Sequence, residues 1–277
     1  MSFTWFPEDA PSPVPVGPVG WLRAGLRAGV IAATMLAGLV VLLLLRAVER
    51  PVCGLDRPVT PFIAQGFFRL GLAVMGIRFS SRGRPMRRPG AVVANHASWL
   101  DIFALNARKR VYFVSKSEVA RWPVIGFLAR AVGTVFIARD RRRAREQTAL
   151  FEARLKAGHK LLFFPEGTST DGMRVLPFKS TLFAAFFADG LREMMHLQPV
   201  TVVYHAPRGQ DPRFYAWWGD MGFGGHALQV LAARRQGAVE VVYHAPVAVA
   251  DFDSRKALAA HLEERVRAGM PPERRQG

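Results

Sequence analysis

The stretch "AVVANHASWLD", residues 91–101, sets a short apolar run against Asn95, His96 and Ser98 before apolar residues resume. Four small or branched apolar residues with no polar alternation fit a strand covered on both faces of a sheet. Ser98 followed three residues later by Asp101 reads as a capping box opening a helix, with Ser98 at the N-cap and Asp101 in the first turn. If His96 and Asp101 shared one helix, five residues at 100° each would leave them about 140° apart, on different faces. His96 therefore precedes the helix, and the Asp101 carboxylate can turn back toward its imidazole. The alternative is that Asp101 only caps and His96 is an ordinary loop residue.

The same punctuation recurs downstream. "AVVA", "VYFVS", "TVFIA", "KLLFF", "PVTVVY" and "VEVVYH" are strand candidates of four to six residues. Helical candidates lie between them at 98–107, 123–132, 141–157, 179–195, 223–234 and 254–268. Alternation of β and α predicts an α/β fold with a mixed or largely parallel sheet flanked by helices. No Walker-type or GxGxxG loop follows any strand, which removes nucleotide binding by those motifs. "VVYHAP" occurs at 202–207 and again at 241–246. With no third ligand at a characteristic spacing, this repetition reads as two similar strand ends rather than a His205/His244 metal site.

The N-terminal third is of another kind. Residues 7–20 hold five prolines and predict an extended arm. Ala28–Leu45 is eighteen residues without a charge, flanked by Arg23, Arg27, Arg46 and Arg50. As a helix it is about 27 Å long, enough to span a bilayer. The arm before it and the absence of a small-residue cleavage site favour an uncleaved anchor over a signal peptide. Thr60–Phe79 is apolar but diluted by Gln65, Arg69 and glycines, which suits an interfacial helix or one packed beside the first. Arg78, Arg82, Arg84, Arg87 and Arg88 follow, a cluster that the positive-inside rule puts on the cytoplasmic side. The expected division is arm 1–20, membrane-anchoring helices 21–80, catalytic domain 81–268 and C-terminal tail 269–277.

Composition bounds the function. Lysine and arginine outnumber aspartate and glutamate by 38 to 21, a formal net charge of +17, so an anionic surface is an expected partner. With an anchor present, acidic lipid fits better than nucleic acid. Half of the residues are apolar, enough for a sizeable core. Cys53 is the only cysteine, which leaves no intrachain disulfide and no cysteine-based metal cage.

A second polar segment, "FFPEGTSTDG" at 163–172, also ends an apolar strand and turns through glycine. It sets Glu166, hydroxyls and backbone amides beside His96 and Arg139 at corresponding ends of neighbouring strands, a plausible site.

Here the sequence resembles the glycerolipid acyltransferase superfamily, which contains the 1-acylglycerol-3-phosphate acyltransferases. Asn95, His96 and Asp101 match its first block and "GTVFIAR", Gly133–Arg139, its second. "FPEGT", Phe164–Thr168, with "LPFKS" from Leu176, matches the third, and "LQPVTVVY" the fourth. The four blocks stand in order over about 110 residues. The resemblance implies an O-acyltransferase in which His96 is the general base for the acceptor hydroxyl and Asp101 holds the imidazole. Arg139, Glu166, Gly167 and Thr168 would bind the acceptor, with Asn95, Ser98, Ser169 and Lys179 in support. Ser98 lacks a GxSxG elbow and serves as a cap, not a nucleophile. Neither cofactor nor metal is implied. The partners implied are acyl-acyl carrier protein or acyl-CoA, a lyso-lipid and the membrane, without nucleic acid. The implied location is a bacterial inner membrane with the catalytic domain facing the cytoplasm.

One position departs from the pattern. Phosphatidate-forming relatives usually carry arginine after Glu-Gly-Thr, where this chain has Ser169. Loss of a guanidinium from a phosphate site costs about 1.5 to 3 kcal/mol unless another cation, such as Arg174 or Lys179, replaces it. With "RVLPFKS" and "WWGDM", this makes the chain more similar to the bacterial lyso-ornithine lipid acyltransferase branch. The acceptor expected is lyso-ornithine lipid and/or lysophosphatidic acid. An enzyme restricted to lysophosphatidic acid and a non-catalytic binder of anionic lipid are the alternatives.

Overall fold

The computed structural model describes Trp5, Pro11 and residues 15–137, 144–188 and 190–275. Helix α1, Pro18–Cys53, is followed by α2, Thr60–Met75, and the strands β1, Arg78–Arg82, and β2, Gly90–Ala94. Next come α3, Asp101–Arg108, β3, Tyr112–Lys116, α4, Ile125–Ala131, β4, Val135–Ile137, α5, Ala144–Lys156, and β5, Leu161–Phe163. The chain continues through β6, His196–His205, α6, Phe223–Ala232, β7, Ala238–Tyr243, β8, Val247–Ala248, and α7, Arg255–Ala268.

The strands form one eight-stranded mixed sheet in the order β1-β7-β6-β2-β5-β3-β4, with β8 also on β6. From β6 to β4 all pairs are parallel. β7 turns back antiparallel to β6, and β1 runs parallel to β7 at the edge. Side-chain alternation splits the core into two layers. Ala91, Val93, Leu161 and Phe163 face Phe151 and Leu155 of α5 and Leu258, Leu262 and Val266 of α7. Val92, Ala94 and Leu162 face Leu72 and Met75 of α2, Leu100, Leu105 and Val230. A sheet with helices on both faces explains why its central strands read as continuous apolar runs.

The six expected strands are all present, and the structure adds two. β1 carries two arginines and alternates between exposed and half-buried residues, as an edge strand does; β8 is two residues long. The expected helix 179–195 is absent. Ser180–Phe187 forms a 3-10 helix, and β6 already starts at His196. In a 3-10 turn residues three apart eclipse, which aims Phe183 and Phe186 together at Phe163, and both are fully buried. The Pro-rich arm ends earlier than expected, because Pro18 occupies the first helical turn of α1, where proline is tolerated.

α1 is long and apolar enough to cross a membrane, and it is almost wholly unburied. Its two ends are nevertheless fastened to the folded body. Arg23 donates to the Ala232 carbonyl at 2.6 Å, and Arg27 to those of Leu231 at 2.8 Å and Ala233 at 2.9 Å, all at the end of α6. At the other end the Glu49 carboxylate accepts from the backbone of Val59 and Thr60 and from the Thr60 hydroxyl, at 2.6 to 2.9 Å. α2 packs on α3, where Gln65 and Arg69 donate to the carbonyls that end that helix.

Candidate active site

The β2–α3 junction places His96 at the carboxyl end of a central strand. Asn95 fixes the junction, donating to the Val202 carbonyl at 3.0 Å and accepting from the Val202 amide at 2.8 Å, as a strand residue would. Asn95 thereby extends the β2–β6 pairing by one residue just before the chain turns away.

His96 Nδ1 and Asp101 Oδ2 are 2.6 Å apart. Asp101 is fully buried, yet four donors converge on it. Besides His96, the amides of Ala97 and Ser98 reach Oδ2 at 2.9 and 3.1 Å, and the Tyr204 hydroxyl reaches Oδ1 at 2.7 Å. So many donors on one carboxyl group suit a carboxylate, and a buried polar group is kept only when so satisfied. The carboxylate holds the proton on Nδ1 and leaves the Nε2 lone pair as the ring's basic site. Phe164 stacks on the imidazole at 4.0 Å and 12°, fixing its plane, and the ring is 23% exposed.

The capping box is half formed. Asp101 reaches back to the Ser98 amide as expected, but the Ser98 hydroxyl accepts from Leu100 at 3.3 Å, and α3 begins only at Asp101. Ser98 is wholly buried, which suits a structural hydroxyl and not a nucleophile.

Glu166, 1% exposed, lies beneath the site and not in its wall. Its Oε1 accepts from the His96 amide and its Oε2 from the Leu176 amide, both at 2.7 Å. It therefore ties the His96 loop to the segment leading to Lys179. Burial pushes its carboxyl up to about 8, against the pull of those two amides. The Gly167 turn above it is the half-exposed part of the segment. At φ +72° glycine is at ease, and a β-carbon there would press on the Lys179 ammonium. Lys179 thus lies against Gly167, in the turn that continues into the half-exposed Thr168 and Ser169. Arg174, the other candidate replacement cation, pairs with Asp171 at 3.3 Å. Arg139 lies outside the described residues.

Residues not expected from the sequence complete the site. β6 runs past the last residue it pairs with β2, Val200, so Tyr204 overhangs the site. Burial and the Asp101 charge raise its phenol well above the usual range, so it remains a donor. Thr170 donates its amide to the His96 carbonyl at 2.9 Å and Trp217 to that of Ala97 at 2.8 Å. Among the described residues no cluster of three potential metal ligands occurs.

A family model described as "Acyltransferase" matches residues 76–203. The chain is 57% identical to the lyso-ornithine lipid O-acyltransferase of Rhodobacter capsulatus, over 96% of each chain. It is 32% identical to the 1-acyl-sn-glycerol-3-phosphate acyltransferase of Neisseria gonorrhoeae, over 67% of this chain and 72% of that one. In fold it resembles the crystal structure of the 1-acyl-sn-glycerophosphate acyltransferase of Thermotoga maritima, with a TM-score of 0.56 and 21% identity over 88% of this chain and 95% of that one.

Proposed function

The chain belongs to the acyltransferase family, and from that premise we propose that it acylates the hydroxyl of lyso-ornithine lipid, with lysophosphatidic acid as a second acceptor. The observation that carries the mechanism is the 2.6 Å contact of His96 with a buried, fourfold-satisfied Asp101. His96 Nε2 takes the acceptor proton as the hydroxyl oxygen attacks the thioester carbonyl. The tetrahedral intermediate expels the donor thiolate, which recovers the proton from the imidazolium. The Gly167 amide already donates to the Phe164 carbonyl at 3.0 Å, so the Thr168 and Ser169 amides are assigned to the developing oxyanion, and the Thr168, Ser169 and Lys179 side chains to the headgroup. Arg139 joins them on sequence grounds alone. Glu166, Asn95 and Ser98 act as positioning residues.

The donor is an acyl thioester of acyl carrier protein or CoA. Residues 21–80 anchor the enzyme to a bacterial inner membrane, and 81–268 form the catalytic domain on its cytoplasmic side. Because one body holds both ends of α1, the arrangement favours a helix lying in the near leaflet over one that crosses it. Support comes from the exposed Leu36, Val40, Val41 and Leu44 between those ends.

Ser169 supports the acceptor assignment, since a site without arginine there discriminates less in favour of a phosphomonoester. Both acceptors are offered together with one acyl-carrier-protein donor, to wild type and to Ser169→Arg. Wild type should use lyso-ornithine lipid readily, and the variant should shift toward lysophosphatidic acid by up to about tenfold, or roughly 1.4 kcal/mol. A wild type that ignores lyso-ornithine lipid contradicts the assignment.

A further inference from the structure

At the end of the sheet opposite His96, a pocket of about 770 Å³ opens beside the α1–α2 connection. Arg57, Arg87, Lys109, Arg110 and Lys160 line it, against one acid, Asp56. Lys109 and Arg110 precede β3 and Lys160 precedes β5, so the cations gather at the amino ends of strands whose carboxyl ends build the catalytic site. From Lys160 to Phe164 the strand covers about 13 Å.

None of the five cations pairs with a carboxylate within 4 Å among the described residues. Two make other contacts: Arg57 donates to the Ala131 carbonyl at 2.9 Å, and the Arg110 guanidinium lies 3.9 Å over the Phe62 ring. Lys160 is only 9% exposed, lines the pocket, and has no side-chain partner among the described residues. His159 in the same wall is 6% exposed with neither ring nitrogen hydrogen-bonded; the Leu55 carbonyl approaches it outside hydrogen-bond geometry. Of the five, Lys160 alone is buried, while Arg57 and Lys109 are half-buried and Arg87 and Arg110 exposed at the rim. A buried cation without a counter-charge is costly, and an anion beside Lys160 lowers that cost.

The surroundings are apolar. Interleaved with the lining residues Cys53, Asp56, Pro58 and Pro61, the side chains of Val52, Leu55, Val59 and Phe62 are exposed. A basic floor beside exposed apolar side chains suits an amphiphile better than a free ion, and the charge-free run of α1 leads to the same place. We propose that this pocket binds the phosphodiester headgroup of an anionic phospholipid, whose acyl chains lie along the exposed apolar residues of the α1–α2 elbow. The bound lipid fastens the elbow to the membrane and takes no part in acyl transfer.

Crowding of like charge agrees with this. Burial, followed by the Lys109 charge, pushes the Lys160 ammonium down to about 8, and burial lowers Lys109 and Arg57 as well. A phosphodiester between them would favour their charged forms.

The test uses the full-length chain in a non-ionic detergent, with dihexanoyl phosphatidylglycerol, dihexanoyl phosphatidylcholine and inorganic phosphate as probes in calorimetric titration. Wild type should bind phosphatidylglycerol at least tenfold more tightly than phosphatidylcholine. Lys109→Gln/Lys160→Gln should abolish that preference while its circular dichroism and acyl transfer in detergent match wild type. Should the pair fail to fold, Arg87→Gln/Lys109→Gln, from more exposed positions, should reduce the preference at least threefold. Equal binding of the two lipids, a preference unchanged in the variants, or inorganic phosphate binding as tightly as phosphatidylglycerol would overturn the proposal. The acyl-transfer mechanism stands or falls separately, because these residues lie at the other end of the sheet.

Discussion

Tyr204 donates its hydroxyl to Asp101 Oδ1 at 2.7 Å, the oxygen that His96 leaves unused. The buried carboxylate is thus held between a strand and a loop, and its orientation is set from the side opposite the imidazole. Tyr204→Phe removes that donor and little else. A hydrogen bond to a buried charge contributes about 1.5–3 kcal/mol, so kcat should fall about tenfold or more. KM should change little. A variant with wild-type kcat would show that the Ala97 and Ser98 amides suffice.

Glu166 makes stability depend on pH. Its carboxyl, near 8 in the fold, sits above the ordinary value of 4.5, so the folded state holds this proton more tightly than the unfolded one does. Its contribution is complete below the unfolded value and is lost as pH rises toward 8, with a slope of at most about 1.4 kcal/mol per pH unit. Melting curves between pH 5 and 8 should therefore decline more steeply for wild type than for Glu166→Gln. Parallel curves would show that Glu166 is ionised throughout.

Asn95→Ala leaves the Val202 amide and carbonyl without their side-chain partners in a buried position. The expected loss is about 2–4 kcal/mol of stability, read by urea denaturation, with activity lost in proportion to the disordered junction. A variant as stable as wild type would mean that water enters and replaces both bonds.

Leu36→Glu/Val40→Glu puts two charges on the exposed side of α1 without touching Arg23, Arg27 or Glu49, which fasten its ends. Vesicle flotation should show most of the protein leaving the membrane, with the melting temperature nearly unchanged. Retention on vesicles would mean that α1 is not the anchor.

The central strands, the βα turn at His96 and the Glu166 turn were legible because their signals are local: a short apolar run, a break, a cap. What stayed hidden depends on partners distant in sequence. β1 is a polar edge strand whose place is set by β7, about 160 residues away. Phe183 and Phe186 fit a helical pattern as well as a 3-10 turn, and only packing on Phe163 decides. Tyr204 looked like the end of an ordinary strand because nothing local marks its reach to Asp101. Glu166 reads as a binding carboxylate on the turn, and its burial emerges only when the Leu176 amide closes over it.

The most direct measurement is acyl transfer by His96→Ala, with purified full-length protein, acyl-acyl carrier protein and lyso-ornithine lipid. Loss of the general base should lower kcat by about 10² to 10⁴, with the melting temperature within a few degrees of wild type because the His96 ring is at the edge of the core and partly exposed. A variant that folds normally and turns over within about threefold of wild type would contradict the assignment of His96 as the base.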